Sequence, residues 1–308
     1  MSAAIEIEGL TKVYGEARAL DGVDLQVPEG SVFGFLGPNG AGKTTTLRVL
    51  TGLARPTAGS ARVFGRDVVT ATNEVRAAVG FLPDVPGFYD WMTASEFLRF
   101  AGSLFGIGGA TLTGRVDALL DLAGLTGVTT KIGGYSRGMK QRLGVAQALI
   151  NAPKLLMLDE PTSALDPIGR KEVLEMIASL GGRTTVFFST HILSDVERVC
   201  DTVAILHEGR VVTQAPIGEL KARYGTSVLA VEVADQAEEI ASAFALEPWC
   251  ARVERLAGGG MALTVSDLDA ARRAVPAIVA ARGAGLVRLD AGEVSLEEVF
   301  VTLVGGEA

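Results

Sequence analysis

The chain has 308 residues, 48% of them hydrophobic, with a formal net charge of −8 and a pI near 5.0. That is enough apolar material for one large core or two smaller ones, and the acidic balance argues against general nucleic-acid binding, which needs a basic footprint. Cys200 and Cys250 show no CxxC spacing, which argues against a disulfide framework or zinc site and suits a reducing cytosol. No run of eighteen apolar residues occurs, and "MSAAIEIEGL" lacks the basic-then-apolar layout of a signal peptide, so the chain is not expected to span a membrane by itself.

Residues 4–36 read as strands, with turns at Gly9, Gly22 and "PEG" (28–30). "SVFGFL" enters a glycine loop, and a helix is predicted from near Lys43. "GSARVFGRDV" reads as a hairpin, followed by a short helix and the strand "VGFLP". Residues 94–151 read as mostly helical. "KLLMLDEPT" and "TTVFFST" are too apolar to be anything but buried central strands. This alternation implies an α/β core with a parallel sheet and a helical insertion at about 85–151. Composition shifts near Tyr224. Beyond it the order is strand (226–233), helix (236–245), two strands (251–265), helix (267–282), strand (285–290) and a helix from "SLEEVFVTLV". That βαββαβ order predicts a small ferredoxin-like α+β domain, giving domains 1–223 and 224–308.

Gly37, Pro38, Asn39, Gly40, Ala41, Gly42, Lys43 and Thr44 spell G-x-x-x-x-G-K-[ST] between a strand and a helix. The glycines let successive N–H groups turn toward phosphates, and the helix dipole adds positive potential there. Lys43 is expected on the β- and γ-phosphates and the Thr44 hydroxyl on Mg²⁺. Asp159 ends a buried strand where it can hold the Mg²⁺ shell, and Glu160 follows where a carboxylate can act as general base toward water. Read alone, the two would be an acidic pair capping a helix before Pro161; the phosphate loop favours the catalytic reading. His191 follows another apolar strand and points where nucleotide binds in such sheets. His207, in a hairpin, is given no role. Tyr14 is either an adenine-stacking ring or a core tyrosine. In "GGYSRGMKQRLG" (133–144), Ser136 caps a second helix and Gly138 admits a ligand close to the backbone. Met139, Leu143, Ala146 and Ile150 then share one apolar face. A second helix N-terminus shaped for an anion needs its own explanation.

Together these motifs resemble the ATP-binding cassette (ABC) family over residues 4–222. The resemblance implies a P-loop NTPase (RecA-like) core with an antiparallel β subdomain and helical insertion, using ATP and Mg²⁺. Tyr14 resembles the adenine-stacking aromatic, Gly37 to Thr45 the Walker A loop, and Asp159 with Glu160 the Walker B pair. "SALD" (163–166), ending in Asp166, resembles the D-loop, and His191 the switch histidine. "YSRGM" (135–139) occupies the signature usually written LSGGQ; Ser136 and Gly138 match, while Tyr135, Arg137 and Met139 depart. In this family two cassettes pair head to tail, as a homodimer or heterodimer, and each signature covers the ATP held by the other's Walker A loop. Asp84 stands where the family commonly has glutamine, and it is short enough to reach Mg²⁺ only through water.

The combination of an acid at 84, a YS-x-GM signature and the ending "SLEEVFVTLVGG" is similar to the drug- and lipid-exporting branch. The leading expectation is therefore the ATPase subunit of an ABC-2 type exporter, at the cytoplasmic face of the membrane with its permease and cytosolic when alone. No nucleic-acid partner is expected. In "VPGFYDWMTASEFLRF", Phe88, Tyr89 and Trp91 are expected to dock the permease, while Phe97 and Phe100 pack the insertion. The alternatives are a soluble ABC ATPase acting on DNA or ribosomes and an importer subunit. The first would carry long coiled coils or two cassettes; the second would have glutamine at 84.

Overall fold

In the computed structural model, which describes residues 2–224, 227–256, 259–292 and 295–304, the chain divides into two units, Met1–Ile217 and Gly218–Ala308. In the first, β1 (Ala3–Tyr14) and β2 (Ala17–Pro28) pair antiparallel around a turn at Gly15. Gly9 and Gly22, expected as turns, lie inside these strands. Gly9 falls at a register shift between Ile7 and Leu10, and both have positive φ (57° and 67°). An isolated glycine in a strand marks a bulge as readily as a turn; here the buried alternation of Ile5 and Ile7 resumes at Leu10.

Next come β3 (Val32–Leu36), buried at all five positions, α1 (Lys43–Leu50), β4 (Ala58–Val63) and β5 (Arg66–Asp67). They are followed by α2 (Thr72–Ala78) and β6 (Val79–Leu82). The insertion comprises α3 (Ala94–Leu104), α4 (Gly109–Leu122) and α5 (Arg137–Ala148). Thr93 and Glu96 form a capping box that starts α3, which satisfies donors the first turn would leave open. The chain continues through β7 (Leu155–Asp159), α6 (Pro167–Ala178), β8 (Thr185–Thr190), α7 (Leu193–Val199), β9 (Thr202–His207), β10 (Arg210–Pro216) and α8 (Ile217–Tyr224).

Two sheets result. One is antiparallel, in the order β2-β1-β4-β5; the other has the order β10-β9-β3-β8-β7-β6 and is parallel apart from the β9–β10 hairpin. Phe33, Phe35 and Phe187 meet between them, with ring centroids 5.8 and 5.2 Å apart, inside one core that joins both sheets. In the parallel sheet β3, β8 and β7 lie side by side. Leu36 is opposite Thr190 and Asp159 opposite Ser189, so three strands end together at one edge. In open α/β sheets that edge is where ligands bind.

In the second unit, β11 (Ser227–Val233), α9 (Ala237–Phe244), β12 (Cys250–Arg255), β13 (Gly260–Val265), α10 (Leu268–Ala281) and β14 (Leu286–Gly292) precede α11 (Leu296–Val304). The sheet is fully antiparallel in the order β12-β13-β11-β14, the ferredoxin-like arrangement of a βαββαβ chain. Leu229, Val231 and Val233 alternate toward Ile240, Phe244, Val275 and Val279, which closes a separate core. The division between units falls at the first residue of α8, a little before the composition shift.

Candidate active site

The loop between β3 and α1 is shaped by backbone crowding. A Cβ at Gly37 would sit 2.3 Å from the Leu206 carbonyl oxygen, and one at Gly42 would sit 2.6 Å from that of Ala19. Gly40 and Gly42 also take φ of 84° and 110°, a region open to glycine. Gly42 caps α1, whose first turn holds no acidic residue of its own to offset its positive end. Pro38, Asn39, Gly40, Gly42, Lys43, Thr44 and Thr45 line a cavity of about 220 Å³ together with Ala19, Asp84 and Glu160. A larger cavity of about 420 Å³ lies over the antiparallel sheet, but Glu6, Glu8 and Asp24 line it. Three carboxylates repel a polyphosphate, so size does not choose the site.

Lys43 is only 6% exposed. Its ammonium donates to the carbonyls of Gly37 (2.6 Å) and Pro38 (3.2 Å) and lies 3.1 Å from Glu160 Oε1. That last contact is an ion pair without hydrogen-bond geometry. The other Glu160 oxygen meets His191 Nδ1 at 2.8 Å. Glu160 has φ 48°, strained for a residue with a side chain, and its N–H donates to the Ser189 carbonyl. Asp159, 1% exposed, accepts from the Ser189 hydroxyl at 2.6 Å. Ser189 thus holds both acids, and the sequence reading passed over it. Its signal was a hydroxyl directly after the apolar run Val186–Phe188 in a fully buried strand, where a polar group needs a buried partner.

Other expected residues stand outside the cavity lining. Tyr14 is 45% exposed, with the Lys12 ammonium 4.6 Å from its ring centre. This settles that Tyr14 is no core residue, and a cation over one face leaves a ring able to stack. Ser136 caps α5, accepting from Met139 N–H at 3.2 Å, and Asp166 caps α6, accepting from Gly169 N–H at 3.0 Å. Gly138 is buried, and a Cβ there would lie 3.5 Å from Gly169 Cα, so the N-terminal turns of the two helices meet at paired glycines. Tyr135 is buried beside them, and burial pushes its phenol pKa up. Ser136, Gly138 and Asp166 do not line the cavity that holds Lys43 and Glu160.

The aromatic loop divides. Phe88 turns inward, edge-on to buried Phe97 at 5.3 Å, and this corrects its expected place on the docking surface. Tyr89 and Trp91 (67% exposed) stay outside, and Phe100, expected inside, is partly exposed and packs on Tyr89 at 5.5 Å.

A parallel sheet whose edge carries a glycine phosphate loop, a lysine and two strand-end acids defines a P-loop ATPase. The family model described as "ABC transporter" matches residues 20–163. The chain is 37% identical to the bacitracin transport ATP-binding protein BcrA of Bacillus licheniformis, covering 99% of each chain. It is also 37% identical to the daunorubicin/doxorubicin resistance ATP-binding protein DrrA of Streptomyces peucetius, covering 99% of this chain and 93% of that one. A solved dimeric bacterial ABC transporter cassette superposes with a TM-score of 0.63 at 26% identity, over 69% of this chain and 98% of that one. The chain belongs to the ABC transporter family, as an ATP-binding subunit. Subunits of this family hydrolyse ATP to power transport, dimerise, and work with separate transmembrane components. Among the described residues no helix is long and apolar enough to cross a membrane.

Proposed function

We propose that the chain is the ATPase of an ABC-2 type exporter, acting at the cytoplasmic face of the membrane on a separately encoded permease. The names of BcrA and DrrA, each matched almost end to end, support the exporter reading. The observation that carries the chemistry is Glu160, which reaches Lys43 with one oxygen and His191 with the other at the rim of the phosphate loop. In this reading Glu160 accepts the proton of the attacking water, and His191 holds the carboxylate in place. Lys43 exchanges loop carbonyls for phosphate oxygens. Thr44 and Asp159 would hold Mg²⁺, with Asp84 acting through water; an all-oxygen set of hydroxyl and carboxylates suits that ion. Held there, the ion would supply positive charge against the phosphates.

Tyr14 stacks on adenine. Base–aromatic stacking contributes roughly 1–3 kcal/mol, so Tyr14→Ala is expected to weaken ATP binding by about tenfold, read by titration with a non-hydrolysable analogue. An unchanged dissociation constant removes Tyr14 from the site.

Tyr89 and Trp91 form the permease-docking surface. Changing both to alanine, with inward-facing Phe88 left alone, is expected to move the protein from the membrane fraction to the soluble one in cells that make the permease. ATP binding should be untouched. If the variant still pellets with membranes, docking lies elsewhere.

A further inference from the structure

Asp195 lies in the first turn of α7, 1% exposed, outside the cavity that holds the catalytic groups. A buried carboxylate is tolerated when its oxygens are bound, and here both are. Oδ2 accepts from the Thr162 hydroxyl at 2.5 Å, and Oδ1 accepts from Arg170 Nε at 2.6 Å. Arg170 extends the chain of contacts, donating from Nη2 to the Ser194 hydroxyl at 2.7 Å. Each end has a place in the mechanism. Thr162, itself buried, follows Glu160 by two positions; Asp195 follows His191 by four; Arg170 belongs to the first turn of the helix that Asp166 caps.

We propose that Asp195 is a positioning residue for ATP hydrolysis: through Thr162 and Arg170 it fixes the orientation of Glu160 relative to His191 and carries α6 with them. The inference rests on the roles proposed above for Glu160 and His191. The geometric reason is that strand pairing and the bond from the Glu160 N–H to the Ser189 carbonyl fix the ends of β7 and β8, while a single contact between the segments beyond them fixes their separation but leaves rotation about it. The Glu160–His191 contact is one such point. The Thr162–Asp195 bond is a second, deeper in the protein and free of solvent, so together they set an angle as well as a distance. Small displacements of a catalytic group cost rate far more than they cost binding. Because Arg170 shares the same carboxylate, a movement of α6 is transmitted to both loops.

The test compares Thr162→Val, which keeps shape and loses the donor, with Thr162→Ser, which keeps the donor. Thr162→Val is expected to lower kcat about tenfold or more, with the dissociation constant for ATP unchanged; Thr162→Ser is expected to restore most of the rate. Arg170→Met and Arg170→Lys give the same comparison at a partly exposed position, should the valine variant fold poorly. A Thr162→Val protein with unreduced kcat overturns the proposal. So does a parallel loss of kcat, ATP binding and thermal stability that the conservative variants fail to rescue, since that pattern is merely structural. Glu160→Gln, assayed alongside, separates the two levels. If it hydrolyses ATP normally, the assignment of the base has failed; if it is inactive while Thr162→Val is fully active, only the positioning role has failed.

Discussion

Purified Glu160→Gln protein is expected to bind ATP at least as tightly as the parent chain while its steady-state hydrolysis falls about 10²- to 10⁴-fold, the usual contribution of a positioned general base. The amide keeps the shape of the side chain and can still accept from His191 Nδ1, so the loop geometry is retained. What it loses is basicity, together with the charge that holds Lys43 at 3.1 Å. An uncharged partner competes less for the ammonium, which leaves Lys43 freer to meet the phosphates. Binding by titration and phosphate release by a coupled assay read the two effects separately. Hydrolysis near the parent rate would sink the assignment of Glu160.

The second large effect concerns the helix N-terminus at Ser136 and Gly138, which lies apart from the phosphate cavity of its own chain. If it serves the ATP of a paired chain, then Lys43→Ala and Gly138→Asp are each expected to abolish nucleotide-driven dimer closure alone and to complement each other when mixed. Lys43→Ala breaks the cradle and spares the signature. Gly138→Asp does the reverse, placing a carboxylate where a γ-phosphate would sit. Space for the new Cβ exists, since its nearest neighbour, Gly169 Cα, is at 3.5 Å, an ordinary contact. In a mixed dimer one site carries both lesions and the other joins an intact cradle to an intact signature. Random pairing of equal amounts makes about half the dimers mixed, and closure should return in that fraction. Light scattering or crosslinking reads it. If mixed dimers form and none closes, the second helix has some other role.

Much of this site was legible because its signals are local. The run from Gly37 to Thr44 carries its own conformation in its glycines, and Asp159 and Glu160 end a strand of unbroken apolar residues. The β-α-β-β-α-β order of the second unit was readable for the same reason: each element has its own period and its own breakers. What escaped depends on partners far along the chain. Gly9 looks like a turn until β4 is placed beside it; a Cβ at Gly59 would then sit 2.2 Å from the Gly9 carbonyl oxygen. Phe88 looks like part of an exposed loop until Phe97 arrives under it. Asp195 and Thr162 are ordinary polar residues in sequence, and only the adjacency of β7 and β8 brings them to 2.5 Å.

The position of β3 in the parallel sheet bears on how the protein is made. Val32 pairs with Val186 and Phe33 with both Phe187 and Thr202, so the strand that launches the phosphate loop has no neighbour on either side until most of the first unit has left the ribosome. At the usual pace of translation that interval is on the order of ten seconds or more, during which five residues destined for full burial stay unpaired. The nascent segment "VFGFL" therefore waits unpaired and needs shielding in that interval, and the nucleotide cradle, although synthesised early, is completed late.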